Sequence, residues 1–147
     1  MRAGMKVAIS SNALKLSGGL ERYALDLIRG LNAAGFTGER KPVEFADPLP
    51  LAGVALDDVF GGLVRDASDR ATFSVEGAHE KISVTYGPKY TVAVVYAPLG
   101  RQFICFEPMS AITDAFNLAQ AGVYHELQSI APGGTWRESF WIAPSGF

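Results

Sequence analysis

A change in the period of the apolar residues near Phe36 constrains this chain more than any other feature. Before that point Leu20, Tyr23, Ala24, Leu27, Ile28 and Leu31 recur at helical spacing. After it the apolar residues alternate with polar ones or run in short blocks between Gly and Pro, the pattern of strands and turns. A helix brings side chains back to one face about every 3.6 residues and a strand every 2, so the two patterns call for different elements. The chain is therefore read as two pieces, residues 1–36 and residues 37–147.

The first piece reads as a βα unit. Lys6-Val7-Ala8-Ile9-Ser10 is a short strand, Ser11 to Gly19 a polar loop, and about Gly19 to Ala34 a helix. Ser17 suits the helix cap, Glu21 falls in the first turn and Gly35 closes the end. Gly18-Gly19 reads as a flexible turn. Amides at a helix start also favour anions, so a phosphate cradle is the alternative. Met5-Lys6-Val7-Ala8-Ile9 together with Ser17-Gly18-Gly19-Leu20-Glu21-Arg22-Tyr23-Ala24 resembles the opening of retaining, two-Rossmann-lobe glycosyltransferases. The resemblance ends within the first quarter of the chain. It implies a glycosyltransferase fragment, without the second, nucleotide-binding lobe.

The second piece reads as an antiparallel β array. Ala71, Phe73 and Val75 alternate with Thr72, Ser74 and Glu76, a strand with one wet face. Gly77 to Glu80 is a hairpin loop, and Ile82, Val84 and Tyr86 alternate again. Val92 to Tyr96 is continuously apolar and suits a central strand, as does Phe103 to Phe106. Tyr124 to Ile130, the turn Pro132-Gly133-Gly134, and Trp136 to Ile142 form a last hairpin, with Trp136, Phe140 and Ile142 inward and Trp141 outward or over an edge. Strands at this spacing argue a sandwich or barrel.

Composition narrows the class. Hydrophobic residues make up 48% and charged residues 19%, a globular balance. A net charge of -2 gives no footprint for nucleic acid. No run approaches the ~18 apolar residues of a membrane span. Val7-Ala8-Ile9 is too short for a signal peptide, and the single Cys105 cannot form an internal disulfide, so a cytoplasmic location is expected. His79 and His125 lie far apart with no Cys or second His near either, so no metal site is expected.

The carboxylates supply the candidate site. Phe103-Ile104-Cys105-Phe106-Glu107-Pro108 is an apolar strand that presents one acid at its end, either solvated or tuned for proton transfer. Asp57 and Asp58 are neighbours at the start of Leu56 to Phe60, so they face opposite ways. Asp58 reads as a solvated acid. Cys105-Phe106-Glu107-Pro108, Asp114-Ala115-Phe116-Asn117 and Leu56-Asp57-Asp58-Val59-Phe60 together resemble the C-terminal part of aldose 1-epimerases, the galactose mutarotase family. Thr37-Gly38-Glu39 followed by Pro42-Val43 marks where that resemblance begins.

The resemblance implies a partial galactose mutarotase-like β-sandwich over residues 37–147, acting on an aldose without cofactor or metal. It makes Glu107 the catalytic base of ring opening and Asp57 a ligand for sugar hydroxyls. Asp114 and Asn117 are expected to shape their loop. The family's acid is a His upstream of the position matched by Asp57, and neither His79 nor His125 stands in that order. A weakly active or inactive isomerase chain is the resulting expectation. The alternatives are a non-catalytic carbohydrate-binding β-sandwich module and the glycosyltransferase fragment. Sheet left uncovered by absent strands would favour self-association.

Overall fold

The computed structural model describes residues 6–8, 25–28, 41–43 and 49–147. The elements are β1 (Lys6–Ala8), β2 (Leu25–Ile28), β3 (Lys41–Val43), β4 (Leu49–Pro50), β5 (Leu56–Gly61), β6 (Ala71–Glu76), β7 (Lys81–Tyr86), β8 (Val92–Ala97), β9 (Cys105–Met109), α1 (Ala115–Gln120) and β10 (Phe140–Ser145). They build two five-stranded sheets, ordered β10-β7-β6-β1-β4 and β3-β2-β5-β8-β9. Every described pairing is antiparallel. The chain is mainly β, as its alternating segments predict.

Proline marks the outer strands. Pro144 lies in β10, Pro50 in β4, Pro42 in β3 and Pro108 in β9, and these four strands end the two sheets among the described residues. No interior strand contains one. Proline has no N–H to give a ladder, so it is confined to edges, where it also discourages pairing with another chain.

The βα unit is corrected in its second half. Lys6–Ala8 is a strand as expected, but Leu25–Ile28, inside the expected helix, is also a strand. It pairs with Lys41–Val43 on one side and Val59–Gly61 on the other. Leu25-Asp26-Leu27 satisfies a period of two as well as a helical one, and a ready strand partner overrides so weak a local preference. Ser17, Gly18-Gly19, Gly35, the remainder of the expected helix and the Thr37-Gly38-Glu39 turn lie outside the described residues.

The two sheets share one core. Phe73, Val84 and Tyr86 of the first sheet meet Leu56, Phe60, Ala93 and Val95 of the second, with Phe106 packed against them. Phe73 contacts Tyr86 with ring centroids 5.1 Å apart and Phe106 at 5.8 Å. β8 is the buried central strand its unbroken apolar run predicts, between β5 and β9. The β6–β7 hairpin is also as expected, its loop closed by the Gly77 N–H on the Glu80 carbonyl at 2.7 Å. Ser74, expected on a wet face, is fully buried instead, between β1 and β7 in mid-sheet.

The last hairpin does not form. Residues 124–139 make no strand, and β10 pairs with β7 from Phe140↔Tyr86 to Ser145↔Lys81. The Ala131–Gly134 turn exists, but Phe140 and Ile142 are 49% and 61% exposed rather than in the core. An edge strand beyond β7 has no second layer over it, so its alternation buries neither face. Trp141 is partly exposed and receives the Arg70 guanidinium 4.2 Å from its ring centre.

Candidate functional site

The register of the second sheet places the two sequence-predicted carboxylates. Along β5, Leu56 and Phe60 enter the shared core, which turns Asp57 and Val59 to the other, outer face. Asp57 lies opposite Tyr96, which lies opposite Cys105. Val59 lies opposite Val94, which lies opposite Glu107. Asp57, Tyr96, Cys105 and Glu107 therefore share the outer face. Both carboxylates are exposed, and Tyr96 between them is half-buried. Strand spacing of about 4.8 Å and a rise of about 3.4 Å per residue put the two acidic Cα atoms roughly 12 Å apart. They bracket Tyr96 rather than meet: Asp57 is directly across from it and Glu107 is diagonal. Asp58 points the other way and is half-buried within the strand, not a solvated loop acid.

Glu107 is the third of the five residues of β9, in mid-strand rather than at a strand end. β9 is the outermost described strand of its sheet, where the expectation was a central one. Pro108 explains the difference, since a proline in a central strand would leave a carbonyl of the neighbouring strand without its donor.

Phe103 extends the outer face beyond β9. It is 47% exposed, and its ring packs 5.9 Å from that of Tyr96. The same Phe103 walls a cleft of about 300 Å³ where the β4–β5 turn meets the β8–β9 loop. Leu51, Val54, Pro98 and Leu99 supply its apolar wall, and Arg101 its charge. The β8–β9 loop is a tight turn, with the Arg101 N–H on the Pro98 carbonyl at 3.2 Å and Gly100 at φ +73°, a conformation that favours glycine. Neither Asp57 nor Glu107 lines the cleft. Sequence reading passed over Tyr96 and Phe103. Their signal is an aromatic on each side of a Pro-Leu-Gly turn.

The other end of the outer face is covered. Val59 and Val92 pack with Ile112, Ala115, Leu118 and Tyr124, so α1 and its flanks close over the sheet. Asp114 precedes the helix in the left-handed region at φ 58°, and its Oδ1 accepts the Asn117 Nδ2–H at 2.5 Å. The bond joins two side chains across the start of α1, and the Asp114 side chain makes no capping bond to the helix backbone. At six residues, α1 spans too few turns for a helical period to emerge in the sequence.

A second polar cluster joins the loops on the opposite flank. The Glu138 carboxylate accepts the Lys89 and Ser139 N–H groups, each at 2.7 Å. Burial opposes its ionisation, but those bonds and the charges of Lys89 and Arg65 hold its carboxyl below the usual range. Gln128 donates to the carbonyls of Lys89 and Ser110, at 2.6 and 3.1 Å, and accepts the Trp136 indole N–H at 2.7 Å. These bonds do the work a β ladder would have done in the expected hairpin. His79 and His125 are exposed, and no cluster of three metal-ligating side chains occurs among the described residues.

Comparison with known proteins is sparse. A stretch of 42 residues is 55% identical to a probable transglycosylase of Burkholderia thailandensis, covering 29% of this chain and 10% of that protein. No protein-family model matches, and no solved structure matches. The aldose 1-epimerase resemblance is thereby corrected, and with it the isomerase and mutarotase reading. The relationship that comparison does find runs to a protein named for glycosyl transfer. Pro108 lies in an edge strand, and Asp114 and Asn117 bracket the start of α1. The base role of Glu107 rested on that resemblance.

Proposed function

We propose that this chain is a non-catalytic carbohydrate-recognition module. A sugar ring packs on the Tyr96–Phe103 aromatic pair, and Asp57 and Glu107 accept hydrogen bonds from its hydroxyls. The observation that carries the reading is one exposed face on which an aromatic side chain stands between two free-facing carboxylates. Aromatic rings offer an apolar surface to the C–H face of a sugar, and a carboxylate accepts two directed bonds from neighbouring hydroxyls. The 42-residue relationship to a probable transglycosylase, too short to span Asp57 to Glu107, is in keeping with a glycan-related chain rather than evidence about this face.

The same proposal includes the architecture and the setting. A β-sandwich is supported by the core that the two sheets share. A cytoplasmic setting is supported by the lone, half-buried Cys105 thiol. No helix among the described residues is long and apolar enough to cross a membrane. Self-association would use β10, where Phe140, Trp141 and Ile142 are exposed together.

Saturation-transfer NMR against a panel of mono- and disaccharides tests the proposal. Transfer to at least one sugar is expected, lost in Tyr96→Ala and weakened at least about fivefold in Asp57→Asn. Absence of transfer across the panel, or transfer unchanged in Tyr96→Ala, would refute it.

A further inference from the structure

We infer that the ligand of this face is a glycoside bearing an apolar aglycone, with the aglycone filling the cleft beside Phe103. The inference rests on the carbohydrate reading above. Phe103 belongs to both places: its ring contacts Tyr96 at 5.9 Å and it lines the cleft. A group attached to a sugar on Tyr96 therefore reaches the cleft across a continuous aromatic surface.

The lining sets the chemistry of that group. Leu51, Val54, Pro98 and Leu99 offer it hydrocarbon, and no acidic residue lines the cleft. A volume of about 300 Å³ is at the small end for ligand sites, which suits a short alkyl or aryl group rather than a segment of protein. Leu99 is 68% exposed on the turn tip, and with Phe103 it leaves apolar surface in water that an aglycone would remove. Arg101 adds the one charge of the lining.

Methyl and octyl β-D-glucopyranoside and the corresponding galactopyranosides, below their micelle concentrations, are the probes, with 1-octanol as control. At least tenfold tighter binding of one octyl glycoside than of its methyl partner is expected. Leu99→Ser, a change at an exposed position away from Tyr96, should erase that advantage and leave methyl glycoside binding unaltered. Equal affinity for methyl and octyl forms would overturn the inference and leave the carbohydrate reading standing. If neither form binds, both fall. If 1-octanol binds as tightly as the octyl glycosides, the cleft takes hydrocarbon without a sugar and the inference is overturned.

Discussion

The outer face of the β3-β2-β5-β8-β9 sheet has two ends with opposite fates. At one end Val59 and Val92 are closed over by α1, Ile112 and Tyr124. At the other Asp57 and Tyr96 stand on the same strands outside that cluster, while Glu107, on the edge strand β9, stays exposed in the row of Val59 and Val94. Alternation along β5 and β8 is unbroken between the two ends, so backbone geometry does not separate them. Side-chain type does. Apolar residues gain by removal from water, whereas an ionised carboxylate would lose several kcal/mol of solvation without a partner. The lesson is that a strand pattern announces which face a residue takes, while cover on that face depends on what arrives from elsewhere in the chain.

Leu118→Ala breaks the comparison most sharply. Leu118 is 7% exposed and anchors α1 on Val59 and Val92, so its truncation should cost roughly 2–4 kcal/mol in urea unfolding. A loss under about 0.5 kcal/mol would mean the covered end is no more packed than the bare one.

Tyr86 sharpens the comparison from beneath the sheet. Its side chain is fully buried in the shared core, and its hydroxyl has no hydrogen-bond partner among the described residues. Burial pushes the phenol well above the ordinary tyrosine range, and the Glu107 charge adds to the effect. A folded-state value raised above the unfolded one leaves its stabilising contribution intact below about pH 10, and ionisation above that pH opposes folding. Tyr86→Phe should raise stability by up to about 1 kcal/mol at pH 7, because a buried group without a partner is removed. Urea midpoints at pH 7 and pH 11 should fall less in Tyr86→Phe than in the parent. An equal fall in both would assign the alkaline loss to other groups.

Asp57→Asn and Glu107→Gln should do least to the fold. Both carboxylates are exposed, so each change is expected within about 0.5 kcal/mol by thermal denaturation, while carbohydrate binding weakens. A larger destabilisation would show that the bare end is structural.

The parts of the fold legible beforehand were those whose information is local. Ala71–Glu76, Lys81–Tyr86 and Val92–Ala97 are strands because their alternation or unbroken apolar run spans a whole element. Leu25–Ile28 was misread because four residues satisfy either period. Trp136 to Ser139 was misread because Trp136 is held by the Gln128 side chain rather than by strand pairing. At the candidate site, Asp57 and Glu107 were visible as acids in apolar runs, but Tyr96 and Phe103 read as ordinary core.

By itself the sequence determined that the chain is β-rich, that Asp57 and Asp58 part company, and where tight turns fall. It also determined, through Pro42, Pro50, Pro108 and Pro144, which strands could end a sheet. Those are consequences of backbone chemistry acting within a few residues. Only the tertiary structure decided that β10 joins β7, that α1 covers one end of the outer face, and that Asp57 and Glu107 bracket Tyr96. The reason is physical: strand partners are chosen by contacts between distant parts of the chain, and a period of two assigns a side chain to a face without naming its neighbour.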